Sequence, residues 1–345
     1  MTTSHVSFPG FGLDFHLDRV AFRVFGISVY WYGLIIAAGF LLAVVYCYRK
    51  APKLGIRSES LIDMLLFAVP LSIIGARLYY IIFYLDFFRK PDGSLDFMEM
   101  LLIRDGGLAI YGGIIAAVLT LFVFCRVKKY KFSAYLDIGA FGLLIGQAVG
   151  RWGNFMNVEA YGRETGLPWR MGIEVWSSQA GAYMPIEVHP TFLYESLWNV
   201  AGFFLLVLIS KKWRKFDGQL FLTYVAWYGI GRTWIEGLRT DSLYFFGLEL
   251  FGAPIRTSQV LAALSALVSI GLLIYHLAVH KHSPDELYCN RPPELEVKEK
   301  RDGETAGEAE KTPELMEDIA EIIEETEEEQ DDLVGREGLG GQEEK

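Results

Sequence analysis

Seven apolar segments constrain this chain more than any other feature, because each is close to the length that crosses a bilayer. A membrane-spanning helix needs about 20 mainly apolar residues. The chain is 52% hydrophobic, with a mean hydropathy of +0.26, and is therefore more apolar than an ordinary soluble protein. We predict an all-α polytopic membrane protein with seven transmembrane helices, over residues 29–48, 63–85, 107–125, 134–150, 191–210, 218–236 and 257–279.

Basic residues in the loops predict the orientation of these helices. The loops after the first, third and fifth segments each hold four lysines or arginines, and such loops stay on the cytoplasmic side. The N-terminus is then predicted outside and the C-terminus in the cytoplasm. We expect no cleavable signal peptide, because the first 28 residues lack a basic stretch followed by an apolar core.

Charge is unevenly distributed along the chain. Residues 285–345 contain 23 acidic and 7 basic residues, a balance of −16, so residues 1–284 carry +6 of the net −10. An acidic segment with few aromatic residues buries too little apolar surface to fold. We predict a membrane domain over residues 1–284 and a disordered, acidic cytoplasmic tail over residues 285–345.

Residues 150–163, the signature segment, place polar side chains where the fourth apolar segment leaves the membrane. Arg151, Asn154, Asn157 and Glu159 lie there. Ionisable groups at this depth are costly unless they are paired, so they are candidates for function. The alternative is that Arg151 only extends to the interface. We predict a site in the small extracytoplasmic loop region that follows, where alternating residues also indicate a short strand near residues 169–175.

Three other polar groups are predicted at the same side of the membrane. Arg232 and Glu236 are four residues apart and share one helix face, with Arg239 three residues further on. The alternative for this group is a buried ion pair that only fixes helix packing. Tyr111 follows a glycine-rich segment and His189 precedes the fifth apolar segment, and either could instead be structural.

The signature segment and the group around Arg232 both contain arginine, and neither contains a set of metal ligands. The planar guanidinium of arginine matches the oxygens of a phosphate. Arg151, Arg232 and Arg239 are predicted to surround an anionic headgroup, while Asn154 and Asn157 bind hydroxyls. Neither a P-loop, a zinc-protease motif nor a serine-hydrolase motif is present, and the three cysteines lack paired spacing, so no metal or cofactor is expected. The residues alone predict an anionic-lipid site near the outer leaflet, without giving the reaction.

The signature segment resembles a motif of the bacterial prolipoprotein diacylglyceryl transferase family. Gly-Arg-Trp-Gly-Asn-Phe-Met-Asn-Val-Glu over residues 150–159 follows the family pattern G-R-x-G-N-F-x-N-x-E, and the match continues through Gly162. Further similar elements occur in order between about residues 25 and 280, namely Trp31-Tyr32-Gly33, Gly106-Gly107 with Tyr111-Gly112-Gly113, His189-Pro190-Thr191 with Leu193-Tyr194-Glu195, and Arg232 with Glu236 and Arg239.

The resemblance implies transfer of diacylglyceryl from phosphatidylglycerol to the lipobox cysteine of a prolipoprotein signal peptide, with release of glycerol phosphate. It places the enzyme in the bacterial cytoplasmic (inner) membrane, with its active site toward the outer leaflet and no nucleic-acid partner. It implies catalytic roles for Arg232, Glu236, Tyr111, Glu159 and His189. It implies substrate-binding roles for Arg151, Asn154, Asn157, Gly162, Tyr32 and Arg239.

One position departs from some family members, which have a histidine where this chain has Tyr111. Tyrosine has a pKa near 10 and is a poor base at neutral pH. The thiol proton is then taken by His189 or Glu159, or electrostatic activation of the thiol suffices. Two other classes of function stay open from the residues alone. One is a transporter or channel for an anionic solute, and the other is a scaffold whose polar residues only join helices.

Overall fold

The computed structural model describes residues 3–90, 93–102, 106–178, 180–240, 244–250, 253–280 and 282–290. These residues belong to one compact unit, Met1–Asn290. Residues 285–290, which the predicted tail included, are part of this unit. The remainder of the predicted tail lies outside the described residues.

Seven helices of 18 residues or more occur in the described part of the chain, and each coincides with a predicted segment. Six of them are long and apolar enough to cross a membrane, whereas the helix at residues 219–238 is not among these six. Seven transmembrane crossings therefore remain a prediction. The helices, with one short helix, are α1 (Trp31–Lys50), α2 (Ser58–Phe83), α3 (Phe97–Leu101), α4 (Ile110–Val127), α5 (Phe132–Asn157), α6 (Thr191–Lys212), α7 (Gln219–Leu238) and α8 (Thr257–Ile274).

The all-α prediction was wrong in one respect, because the described residues also contain eight strands. Four of them form an antiparallel sheet in the order β2-β1-β5-β6, and the others form the hairpins β3–β4 and β7–β8. The strand predicted near residues 169–175 is β5. The strands are β1 (Thr3–Phe8), β2 (Leu13–Asp18), β3 (Val20–Val24), β4 (Ile27–Tyr30), β5 (Met171–Ser177), β6 (Ala182–Val188), β7 (Tyr244–Leu250) and β8 (Ala253–Arg256).

The four-stranded sheet has a small apolar core of its own. Val6 on β1 pairs with Ile173 on β5, and both side chains are buried together with Val188 and Phe192. Burial of one sheet face explains the alternation of apolar residues in β1 and β5. Phe192 belongs to α6 and Phe155 of α5 packs against the same core, so the sheet rests on the ends of these two helices.

Small residues allow the helix backbones to approach closely. A Cβ on Gly39 of α1 would lie 3.1 Å from Cβ of Val149 on α5, and one on Gly75 of α2 would lie 2.4 Å from Cβ of Ala116 on α4. Close backbone contact through small residues is the usual way that helices associate in lipid. The polar ends of the helices are thereby fixed relative to one another.

The basic loops follow α1, α4 and α6, and the end of the helices at which they lie is called here the basic end. A buried ionic network closes this end. Asp137 of α5 accepts hydrogen bonds from the backbone N–H groups of Gly218 (2.9 Å) and Phe221 (2.9 Å) at the start of α7. Arg214 contacts both Asp137 and Asp217. A carboxylate at a helix N-terminus satisfies free N–H groups, so Asp137 ties α5 to α7.

Residues 283–290, the C-terminal clasp, fold back onto the basic end. The Tyr288 side chain is buried in the main apolar core, and its backbone N–H donates to Asp217 Oδ2 at 2.8 Å. Lys131, between α4 and α5, forms an ion pair with Asp217 at 2.8 Å and donates to the carbonyl of Glu286 at 2.9 Å. The clasp therefore joins the end of α8 to the loops of the neighbouring helices.

Candidate functional site

The signature segment begins in the last two turns of α5. It lies at the other end of the helices from the basic end, and we call this the signature end. Arg151 lies in the last two turns of α5, and Glu195 lies just over one turn into α6. Arg232 and Glu236 lie near the end of α7, and Arg239 directly follows that helix. Three consecutive long helices thus bring charged side chains to one place.

Glu195 is the centre of this arrangement. Its Oε2 lies 2.5 Å from Nη2 of Arg151, and its Oε1 lies 3.5 Å from Nη1 of Arg232 and 3.8 Å from Nη1 of Arg239. Arg232 also pairs with Glu236 at 2.7 Å, as their spacing in the sequence predicts. We call these five residues the arginine cluster.

The arginine cluster is largely withdrawn from solvent and keeps an excess of positive charge. The three guanidinium side chains are between 12% and 19% exposed, and the two carboxylate side chains are 6% or less. Three guanidinium groups against two carboxylates leave a formal charge of +1. Because the surrounding dielectric is low, an anion at this position interacts more strongly than it would in water.

Asn154 connects the arginine cluster to a second polar region. Its Oδ1 accepts a hydrogen bond from Nη1 of Arg151 at 3.3 Å, and its Nδ2 donates to Oε1 of Glu159 at 2.7 Å. Glu159 and Asn157 line a cavity of about 640 Å³. The rest of the cavity lining comes from the end of α5, from the start of the β3–β4 hairpin, from β4 and from α1. These residues are Val158, Arg19, Val29, Tyr30, Tyr32, Gly33 and Leu34.

Tyr32 reaches this region through a contact with α5. A Cβ on Gly153 would lie 2.8 Å from Cδ2 of the Tyr32 ring, so only glycine allows the ring to lie against the helix there. Val158 directly follows the last residue of α5 and has a φ of 53°. The chain turns there, and the next residue, Glu159, lines the cavity. Tyr32, Asn157 and Glu159 thus line one cavity.

Gly162 holds the loop after α5 against two other predicted residues. Its N–H donates to the carbonyl of His189 at 3.0 Å, and it pairs with Arg239 in an isolated β-bridge. A Cβ at Gly162 would lie 2.6 Å from Cβ of His189. The structure therefore explains Gly162 by close packing beside Arg239 and His189.

His189 lies at the edge of the site and is partly buried. Its Nδ1 is 3.1 Å from the hydroxyl of Tyr194, which also accepts a hydrogen bond from Nε1 of Trp169 at 2.7 Å. Burial lowers the pKa of His189 from its ordinary value, because loss of water penalises the charged imidazolium. The neutral imidazole is therefore favoured at neutral pH.

Two tryptophans fix α6 against α7 and thereby set the geometry of the arginine cluster. The Trp198 and Trp227 rings stack with centroids 4.4 Å apart. Each indole N–H donates to the backbone carbonyl of the other residue, at 2.9 and 2.8 Å. Gly231 and Gly202 make room for these rings, because a Cβ at either would lie within 2.5 Å of indole atoms. Rigid pairing of the two helices holds the Glu195 carboxylate beside the guanidinium of Arg232.

Tyr111 is a predicted site residue that belongs neither to the arginine cluster nor to the lining of the cavity. It lies in the first turn of α4, is 49% exposed, and within the described residues makes neither a hydrogen bond nor an ion pair. The preceding loop is held by Arg77 of α2, whose guanidinium donates to five backbone carbonyls between residues 99 and 107. Arg104 and Asp105, which directly precede the glycines of this loop, lie outside the described residues.

Sequence reasoning missed Glu195, which makes more contacts with the site arginines than any predicted residue described here. The signal was present, because an ionisable side chain just inside an apolar span is rarely exposed to lipid. In the sequence, Glu195 lies six residues after His189, at the start of the fifth apolar segment. Its partners come from two other helices, and sequence spacing does not reveal such contacts.

Comparison with known proteins identifies the family of the chain. The model of the family described as prolipoprotein diacylglyceryl transferase matches residues 19–275. Relatives named phosphatidylglycerol–prolipoprotein diacylglyceryl transferase include a protein of Finegoldia magna, which is 45% identical over 75% of this chain and 92% of its own length. Those of Lactiplantibacillus plantarum and Clostridioides difficile are 42% and 35% identical, over 78% and 79% of this chain and 92% and 99% of their own lengths.

The matched residues include α1 to α8 and every predicted site residue. They stop at residue 275, before the C-terminal clasp. Six of the described helices are long and apolar enough to cross a membrane. The chain therefore belongs to the prolipoprotein diacylglyceryl transferase family, and it is a membrane-embedded transferase.

Proposed function

We propose that this protein transfers the diacylglyceryl group of phosphatidylglycerol to the lipobox cysteine of prolipoproteins, the first step of bacterial lipoprotein maturation. The observation that carries this proposal is the convergence of Arg151, Arg232 and Arg239 on one buried position beside the signature segment. Relatives across the matched region are named for the same two substrates.

The reaction requires stabilisation of a leaving phosphate. The cysteine sulfur forms a bond to the terminal glyceryl carbon of the diacylglycerol, and the bond from that carbon to the phosphate oxygen breaks. Glycerol phosphate departs with the electron pair, while the thiol proton passes to a base or to solvent. Negative charge increases on the phosphate as the bond breaks, so prearranged guanidinium groups lower the barrier.

The geometry supports a division of roles within the site. Arg151 and Arg232 bind the lipid phosphate, and Glu236 orients Arg232 through their 2.7 Å ion pair. Arg239 assists at the rim, where Gly162 holds its backbone.

The polar part of the headgroup fits the neighbouring cavity. Asn154 bridges Arg151 and Glu159, while Asn157 and Tyr32 line the cavity wall. Amide and phenol groups bind glycerol hydroxyls by donating and accepting hydrogen bonds. The phosphate and the glycerol are thus recognised by adjoining parts of one site.

Two residues are candidates to accept the thiol proton. Glu159 is connected to Arg151 through Asn154, while His189 is favoured in the neutral form that a base requires. We favour Glu159 as the base, because Asn154 forms hydrogen bonds with both Glu159 and Arg151 of the arginine cluster. We assign Tyr111 at most a hydrogen-bonding role toward a substrate, since it is exposed at the start of α4.

The proposed location is the bacterial cytoplasmic membrane, with the signature end at the outer leaflet. The basic loops favour this orientation by the positive-inside rule. Precursors emerge on that side with their lipobox cysteine close to the membrane, and phosphatidylglycerol reaches the site from the lipid. A site placed at one end of the helices favours an enzyme over a transporter, which needs access from both faces.

The test is a transfer assay with the purified full chain in detergent, phosphatidylglycerol and a short lipobox peptide. We expect the peptide to gain the mass of diacylglycerol, whereas the same peptide with serine in place of cysteine should not. Binding of phosphatidylglycerol without transfer to the cysteine peptide would contradict the proposal and favour a lipid-binding or transport role.

A further inference from the structure

We infer that Glu195 is a positioning residue that holds the three arginines together and lowers the positive charge that they present to a phosphate. The inference rests on the proposed function and extends it to a residue whose side chain does not itself react.

Contacts made by Glu195 use both carboxylate oxygens. Oε2 is taken by Arg151 at 2.5 Å, while Oε1 faces Arg232 at 3.5 Å and Arg239 at 3.8 Å. Three guanidinium groups cannot share a partly buried position without an anion between them, because their repulsion is weakly screened there. Glu195 is the carboxylate that all three share.

The placement of Glu195 is rigid. Its side chain is only 6% exposed, and it lies three residues before Trp198, whose ring is locked against Trp227 of α7. A carboxylate on such a helix moves little when a headgroup enters. Arginines that are held in place before the substrate arrives stabilise the transition state without rearrangement.

The negative charge of Glu195 then disfavours the product more than the substrate. Its carboxylate repels each negative charge that enters the cluster, and the phosphodiester of the substrate carries one such charge. Glycerol phosphate, the leaving group, is a monoester that carries more negative charge near neutral pH. Glu195 therefore weakens binding of this product relative to the substrate and so assists its release.

Removing the charge should therefore change product affinity and turnover in opposite directions. For Glu195→Gln, we expect the dissociation constant for glycerol phosphate to fall about tenfold, because the substitution removes one negative charge from the cluster. We expect the KM for phosphatidylglycerol to stay the same or fall while kcat decreases. Glu195→Asp keeps the charge, so its affinity for glycerol phosphate should remain within about twofold of the unaltered protein, with kcat reduced by the shorter reach.

The matched control is Glu187→Gln, which makes the same chemical change in an exposed ion pair with Arg170 on the sheet. It should alter neither constant. Glycerol phosphate binding is measured by calorimetry on the purified full chain in detergent, and the transfer constants are measured on the same preparations. If Glu195→Gln does not fold, Glu195→Asp carries the test through its unchanged affinity and lowered kcat.

The outcomes separate this inference from the function on which it rests. Unchanged or weaker binding of glycerol phosphate by folded Glu195→Gln would overturn the inference, as would equal tightening in Glu195→Asp. A purely structural role would lower the yield of folded protein and leave the affinity of the folded fraction unchanged. Absence of transfer by the unaltered protein would refute the proposed function, whereas the binding comparison would still decide the role of Glu195.

Discussion

At the scale of single residues, the site depends on guanidinium geometry as well as on positive charge. Arg151 offers separate nitrogens to Glu195 and to Asn154, at 2.5 and 3.3 Å. Lysine carries the same charge on a single nitrogen and cannot maintain such a fork. Charge and shape at this position are therefore separable by mutation.

We predict that Arg151→Lys lowers the transfer rate by at least about tenfold, and that Arg151→Ala lowers it by about 100-fold or more, as loss of an anion-stabilising donor does. Both variants should still insert and fold. Arg170→Lys, which alters an ion pair on the sheet, is the control and should retain activity. Transfer by Arg151→Lys at the normal rate would mean that charge alone matters and would support the scaffold alternative.

A second prediction concerns His189 and pH. Because burial lowers its pKa below the ordinary value of about 6.5, the unfolded chain takes up the proton first as the pH falls. Stability from this residue is therefore complete above pH 6.5 and is lost below it. We expect the fall in melting temperature between pH 7.5 and 5.5 to be smaller in His189→Asn than in the unaltered protein. Identical pH profiles would show that His189 is not the responsible group.

The sequence predicted much of the site at this scale, but not its centre. The signature segment indicated Arg151, Asn154 and Glu159, and helical spacing indicated the pairing of Arg232 with Glu236. Glu195 was missed because its contacts join three helices. Tyr111 was predicted from its position after a glycine-rich segment as well as from the resemblance, yet α4 packs chiefly on α2 and leaves it exposed.

At the scale of helices and strands, the apolar segments predicted the long helices because a span in lipid is a local property of the sequence. The N-terminal strands were missed, although Val6 and Phe8 show the alternation of a half-buried strand. Their partner β5 lies more than 160 residues further along the chain. Such a pairing depends on where the helices end, and the local pattern alone does not give it.

The contact between α6 and α7 provides a prediction at this scale. Gly231→Ala should destabilise the protein by about 1–3 kcal/mol, because the new Cβ would lie 2.2 Å from Nε1 of Trp198 and force the rings apart. Transfer should fall with it, since Glu195 and Arg232 would separate. Gly271→Ala on α8, which meets no atom within 4 Å, is the matched control and should change stability by less than about 1 kcal/mol. Thermal unfolding in detergent measures both, and equal stability of the two variants would contradict the proposed packing.

The C-terminal clasp provides another prediction. Truncation after Asn290 should preserve the melting temperature and the transfer rate, because the buried contacts of Tyr288 remain. Truncation after His282 exposes Asp217 and removes Tyr288 from the core, so it should lower the melting temperature by several degrees, consistent with the loss of about 2 kcal/mol of apolar burial. Tyr288→Ala in the full chain should reproduce part of this loss. Equal stability of the two truncations would show that the clasp contributes nothing.

At the scale of the whole molecule, the two ends of the helices have different chemistry. The basic end is closed by carboxylates that cap or pair with their neighbours, whereas the signature end keeps a net positive cluster beside a cavity. A positive cluster and a cavity at one end of the helices suit the proposed transfer between a membrane lipid and a membrane-proximal peptide. The family to which the chain belongs is named for a transfer of this kind.

The most direct test of this account is the stoichiometry of the two products in one reaction. With phosphatidylglycerol labelled in its headgroup, we predict one glycerol phosphate released for each peptide thioether formed, and neither product from Arg151→Ala. Release of glycerol phosphate without the thioether would indicate lipid hydrolysis. That result, or normal product formation by Arg151→Ala, would contradict the claim that the arginine cluster carries diacylglyceryl transfer.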